Sequence, residues 1–213
     1  MSKKIITISR EFGSGGHTIG KAVAEKLGIK FYDKNLLDEI AMRTGFSKEF
    51  IEEASEYATS KSSLLFYLAS GHNNMHVSPN PADQIYIAQS KIIKEIAEEE
   101  SCVIVGRCAD YILRNRDDVM NVFICSDKES RAKRVLEKYG ETNKSINSRL
   151  DEKDKRRKVY YLHYTDRNWG APQNYTVSLN SGIIGEEKCV DIIVDLFNLL
   201  WIFWKSLAFL QGF

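Results

Sequence analysis

KKIITISREFGSGGHTIGKAVAEKL, Lys3 to Leu27, decides how the rest of the chain is read. Ile5, Ile6, Thr7 and Ile8 form a short β-branched run, which predicts a strand. Gly13, Gly15 and Gly16 then predict a tight turn, and the residues beyond it put Ile19, Val23 and Leu27 on one face of a helix. Strand, glycine turn and helix start in this order make an anion site. Glycines let backbone N–H groups converge, and the unsatisfied N–H groups of the first helical turn face the same point. A phosphate is therefore expected over Gly13, Ser14, Gly15, Gly16, His17 and Thr18, with the Thr18 hydroxyl placed to hold a Mg²⁺ that accompanies it. A plain strand-to-helix turn that binds nothing is the alternative.

The stretch departs from the phosphate-loop pattern G-x-x-x-x-G-K-[ST], because it has no lysine after the glycines. A hydrogen bond to a charged group is worth about 1.5–3 kcal/mol. Loss of the lysine must therefore be made good by another cation, and Arg10, His17 and Lys21 are the local candidates.

The 213 residues suit one α/β domain with a small helical insertion. A net charge of +1 argues against a dedicated nucleic-acid binder, although arginines and lysines gather between Lys128 and Arg157. Cys102, Cys108, Cys125 and Cys189 form no C-x-x-C pair, and the chain opens on no secretory signal. Reduced thiols in the cytoplasm, acting as small buried hydrophobes and not as a zinc site, are expected.

Ile29 to Tyr32 reads as a second strand ending at Asp33, which lies either on the ligand-binding edge of a parallel sheet or at the N-cap of a helix over Lys34 to Thr44. Phe46 to Leu68 reads as helical. Ser70 to Pro81 has loop composition and carries His72 and His76, a lid or substrate-side loop in preference to a metal site. A long helix over Pro81 to Glu100 would bury Ala82, Ile85, Ile87, Ala88, Ile92, Ile93 and Ile96. It leads into Cys102 to Val105, an apolar run suited to a strand covered on both faces. Arg107 follows at that strand's C-terminal edge, where phosphate or carboxylate binding explains it better than a surface ion pair.

Ala109 to Arg114 predicts a helix and Val119 to Cys125 a strand. Ser126 is expected to cap a helix carrying Arg131 and Arg134 on one face. After a break at Lys138 to Lys144, Ile146 to Tyr161 is a charged helix with Arg149, Asp151, Asp154, Arg156 and Arg157, either a solvated helix laced with ion pairs or a cationic lid. Asn174 to Leu179 reads as the fifth strand and Glu186 to Leu200 as the closing helix. Strands alternating with helices predict a doubly wound, five-stranded parallel sheet. The tail from Leu196 to Phe213, LFNLLWIFWKSLAFLQGF, is apolar all round. It reads as packing on the domain or on a partner subunit in a homo-oligomer, with membrane-surface attachment or spanning less favoured.

With these pieces in order, the chain resembles the cytidylate kinase-like family, relatives of bacterial cytidylate kinases within the P-loop kinases. The resemblance covers Lys4 to Leu196. It rests on SREFGSGGHTIGKAVAEKLG at Ser9 to Gly28, FYDKNLL at Phe31 to Leu37, VIVGRCADYIL at Val103 to Leu113, and DKESRAKR at Asp127 to Arg134 followed by the D-x-x-R of Asp154 and Arg157. It implies a single P-loop kinase-like domain over 1–200, with a helical acceptor-side insertion at 34–81, a lid at 135–160, and an apolar tail at 201–213. It further implies that Gly13 to Thr18 embrace the β- and γ-phosphates of ATP with Mg²⁺. Arg107, Arg131, Arg134 and Arg157 would be the catalytic cations, while Asp33, Arg107, Asp154 and Arg157 would hold the acceptor.

The implied reaction is ATP-dependent phosphoryl transfer to a nucleoside monophosphate, with CMP favoured. A different small acceptor, or a nucleotide-binding regulatory role without turnover, are the alternatives. Aligned with small nucleotide kinases, Gly15, Gly16, His17 and Thr18 fall where those enzymes have Gly, Lys, Gly and Thr. Cys108 stands where cytidylate kinases have the aspartate of a G-R-D triplet, which bears on base specificity.

Overall fold

The computed structural model of the chain describes residues 4–33, 35–51 and 81–210. Strand β1 (Ile5–Arg10) lies at the centre of a parallel sheet ordered β2-β3-β1-β4-β5, with β2 at Lys30–Tyr32, β3 at Cys102–Val105, β4 at Val119–Cys125 and β5 at Val177–Asn180. Ile5 pairs with Cys102 on one side and Val119 on the other. Because side chains alternate along a strand, β1 serves two cores. Ile6 and Ile8 pack under α1 (Gly16–Leu27) and the final helix, whereas Ile5 packs under α2 (Asn35–Thr44), α3 (Pro81–Glu99) and α4 (Ala109–Ile112). All three isoleucines are fully buried, and each contributes about 1.5–3 kcal/mol of burial free energy.

The chain leaves β1 towards β2 and later crosses from β3 to β4 on the far side of β1. That reversal opens a crevice at the C-terminal ends of β1 and β3. Helices α5 (Lys128–Tyr139) and α6 (Ile146–Thr165) pack on each other, the short α7 (Ser181–Ile184) follows β5, and α8 (Glu186–Leu210) closes the described chain.

The five strands and their parallel order agree with expectation, and several local details differ. The fifth strand starts at Val177 instead of Asn174, because Pro172–Asn174 forms a 3-10 turn closed by the Tyr175 N–H on the Pro172 carbonyl. Asp127, not Ser126, caps α5: its carboxylate accepts the Ser130 N–H at 2.8 Å. The buried stripe of α3 leaves Ile87 59% exposed and takes Gln89 inside instead. Helix α4 ends at Ile112, and α6 continues to Thr165.

Helix α8 runs through residue 200 without a break, and its Cys189, Val190, Ile193, Val194 and Phe197 belong to the core under α1. Among the described residues no helix is long and apolar enough to cross a membrane. Most of the expected 46–68 helix and the loop with His72 and His76 lie outside the described residues.

Candidate active site

The glycine loop is built by fastening its middle and leaving its rim bare. Ser14 is fully buried. Its hydroxyl lies 3.0 Å from both the Ile124 and Glu11 carbonyls, and its own carbonyl accepts the Ser181 hydroxyl at 2.6 Å. The Ser14 side chain therefore anchors the loop to the sheet and is not turned towards a ligand. Gly13 and Gly15 have φ of +80° and +79°, a region that glycine enters without strain. A Cβ added at Gly13 would lie 2.8 Å from Val135 Cγ2, and one at Gly15 would lie 2.7 Å from the Glu186 carboxyl carbon.

Helix α1 starts at Gly16 with no side-chain cap and no acid in its first turn. The positive end of its dipole is thus left uncompensated by its own sequence. Thr18 is exposed there, so its hydroxyl is open to a cation. Glycine main chain, a first turn with no acid of its own and an exposed hydroxyl fit a phosphate chain with its Mg²⁺, the nearby Glu186 carboxylate being paired with Arg134. His17, also exposed, reaches Asp33 with Nε2 3.1 Å from Oδ2, which joins the loop to the end of β2.

Behind the loop lies a buried ion pair. Arg131 Nη1 is 2.5 Å from Asp154 Oδ2 and donates to the Phe12 carbonyl at 3.3 Å, while Asp154 Oδ1 accepts the Phe12 N–H at 2.7 Å. Two helices are thereby clamped to the loop backbone. Breaking a buried pair of this kind by removing one partner costs about 3–5 kcal/mol. Arg134 donates to the Gly13 carbonyl at 2.6 Å and pairs with Glu186 at 2.6 Å. Arg131, Arg134 and Asp154 therefore bind loop backbone or loop-side groups, and Asp154 also lies 3.7 Å from Arg157, which lines the crevice.

The crevice is lined by Arg10, Asp33, Arg107, Cys108 and Arg157, with Tyr160, Tyr161 and Trp169 as an aromatic wall. Arg157 also donates to the Arg10 carbonyl at 3.2 Å. Arg107 is presented by an unusual turn: Gly106, Arg107 and Cys108 all have positive φ, at +76°, +60° and +54°. A non-glycine residue held there costs about 1–2 kcal/mol, so neighbours must fix it. The Gln89 amide does so, donating to the Arg107 carbonyl at 2.8 Å from a fully buried position. Burial pushes the Cys108 thiol well above its ordinary range, so it faces the crevice as a neutral group. Burial also raises the Asp110 carboxyl, against the opposing hydrogen bond from the Tyr161 hydroxyl at 2.6 Å.

Sequence reading missed Gln89, Glu186 and the tyrosines of α6. Gln89 left a signal: a single amide between Ile85 and Ile93 on an otherwise apolar helical stripe. Glu186 left none, since its role arises from α8 starting beside Gly15.

The profile described as the Cytidylate kinase-like family matches residues 5–183. The cytidylate kinase of Archaeoglobus fulgidus is 31% identical over 194 residues, which are 89% of this chain and 92% of that protein. Among solved structures, a protein from Eubacterium ventriosum has a TM-score of 0.69 at 31% identity, covering 92% of this chain and 99% of that one. Shikimate kinase from Bacteroides thetaiotaomicron has a TM-score of 0.54 at 16% identity over 92% and 98% of the two chains, a likeness of fold alone. With the profile spanning residues 5–183 and a relative 31% identical over 89% of the chain, the chain belongs to the cytidylate kinase-like family.

Proposed function

We propose that this protein is an ATP- and Mg²⁺-dependent kinase that moves a γ-phosphoryl group to a small acceptor, a nucleoside monophosphate with CMP first among them. The observation that carries the reading is the juxtaposition of a bare glycine loop at the start of α1 with a crevice holding three arginines and one carboxylate on the same sheet edge. Within Gly13 to Thr18, main-chain N–H groups other than that of Ser14, which is donated to the Glu11 carbonyl, would receive the β- and γ-phosphates. The Thr18 hydroxyl would hold Mg²⁺, whose part is to offset phosphate charge.

Arg107 and Arg157 would grip the acceptor's phosphate, and Asp33 would accept hydrogen bonds from its hydroxyl or amino groups. Arg131, Arg134 and Asp154 would keep the loop in shape from behind. Transfer of this kind depends on positioning and on neutralising spread-out charge, which fixed arginines provide without reorganising. The aromatic wall would help to exclude water as a competing acceptor.

The name of the Archaeoglobus fulgidus relative supports CMP. Cys108 favours keeping a second acceptor in view, because a neutral thiol lines the crevice at the position where cytidylate kinases, on the resemblance above, have the aspartate of a G-R-D triplet. Coupled detection of ADP with CMP, other nucleoside monophosphates, nucleosides and small phosphorylated metabolites tests the reading. CMP-dependent ADP release is the expected result. Release with another acceptor only would reassign the substrate, and ATP binding without acceptor-dependent release would leave a nucleotide-binding regulator.

A further inference from the structure

In the pattern G-x-x-x-x-G-K-[ST], one glycine stands five residues before the second and the lysine directly after it. Counted from Gly15, those two places are held here by Arg10 and Gly16. Glycine and cation have changed places, and the geometry links the two changes. A Cβ added at Gly16 would lie 2.5 Å from the Cβ of Arg10 and 2.9 Å from its Cγ. The path by which a side chain would leave position 16 is therefore filled by the stem of Arg10.

The far end of the same side chain lies against Gly106, where an added Cβ would come within 3.2 Å of the guanidinium carbon. One arginine thus runs from the glycine loop to the turn that presents Arg107, and both Gly16 and Gly106 leave room for it. It ends in the crevice beside Arg107 and Arg157. The other local cations are placed differently. His17 faces Asp33, and Lys21 lies on the outer side of α1, 3.7 Å from Glu25.

We propose that Arg10 replaces the loop lysine, its guanidinium lying between donor and acceptor sites and binding the transferring phosphate together with the acceptor's anionic group. A planar fork of five donors can meet two anions at once, which an ammonium group does less well. The proposal rests on the kinase reading above and adds the residue on which it turns.

Mg-ATP binding by calorimetry and turnover with the best acceptor are to be measured for wild type, Arg10→Gly, Arg10→Lys, Lys21→Ala and the double variant Arg10→Gly/Gly16→Lys, with folding checked by circular dichroism. Arg10→Gly should weaken Mg-ATP binding and lower kcat/KM by roughly 10- to 100-fold, Arg10→Lys should recover part, and Lys21→Ala should stay within about twofold. The double variant, with the path cleared and the lysine in its pattern position, should regain about tenfold over Arg10→Gly. Folded Arg10→Gly protein that matches wild type, or a folded double variant no better than Arg10→Gly, overturns the proposal. If wild type binds Mg-ATP without turnover, the kinase reading fails while the binding arm still decides Arg10. If it binds none, both fall.

Discussion

Two turns stand side by side at the ends of neighbouring strands, and they reach positive φ by opposite means. After β1, Gly13 and Gly15 take the left-handed region with no side chain to accommodate. After β3, only Gly106 does so, while Arg107 and Cys108 enter the same region with side chains attached. In the first turn, proposed above to bind through its main chain, glycine leaves the backbone uncovered and the loop is held from behind by Ser14 and the Arg131–Asp154 pair. In the second turn, proposed above to bind through the Arg107 side chain, positive φ is held at two non-glycine residues and Gln89 keeps the turn in place. Arg10 spans the gap between the two turns.

The largest effect should come from filling the bare turn. Gly15→Val puts a β-branched side chain at φ +79° and against the Glu186 carboxyl, so Mg-ATP binding should fall by more than about 100-fold, an estimate built on the loss of several charge-assisted hydrogen bonds. Calorimetry with a parallel melting curve checks this. A folded variant with wild-type affinity would mean that the loop amides are not the cage.

A sharper contrast comes from the strained turn. Arg107→Ala should raise the acceptor's KM by roughly 10- to 100-fold while leaving Mg-ATP affinity nearly unchanged. Arg107→Gly should lose as much acceptor binding and yet gain about 0.5–1 kcal/mol of stability, because glycine relieves the positive-φ cost less its own chain entropy. Equal losses for ATP and acceptor would merge the two sites, and a less stable glycine variant would show that the turn is not strained.

The smallest effect concerns α5, which backs the glycine loop. Its cap, Asp127, has a carboxyl held below the ordinary range by the Ser130 N–H. A depressed carboxyl stabilises the fold above its unfolded pKa, about 3.9, and the contribution disappears as pH falls through the lower folded value. Asp127→Ala should therefore lower the melting temperature at neutral pH, and the gap to wild type should close as pH falls from the unfolded carboxyl value through the lowered folded one. A gap that persists in acid would assign the loss to packing instead of capping.

Much of this was legible in the residues themselves. Ile5 to Ile8, Cys102 to Val105 and Val119 to Cys125 are β-branched or apolar runs separated by helical periods, and only a parallel sheet with helices on both faces buries all of them. Gly13, Gly15 and Gly16 before a helix predict the tight turn for the same local reason, and the structure has it with positive φ at Gly13 and Gly15. Arg107 follows β3 by one glycine, and Asp33 follows β2 at a place the sequence leaves equally open to the sheet edge and a helix N-cap; in the structure both line the crevice. The arginines of α5 and α6 were harder to read, since a helical face tells which residues align and not what they meet. Arg131 and Arg134 share a face as expected, yet that face meets the rear of the loop, Asp154 and Glu186.

Sequence alone determined the order of elements, the parallel sheet and the tight glycine turn that enters α1, because these follow from local periodicity, glycine stereochemistry and the short reach of a chain between adjacent elements. Only the tertiary structure decided which charged groups face the crevice and which brace the loop. Those assignments depend on contacts between residues more than a hundred positions apart, such as Phe12 with Asp154 and Arg10 with Arg157. It also decided why Gly16 is a glycine: the space a side chain would need there is already taken by Arg10.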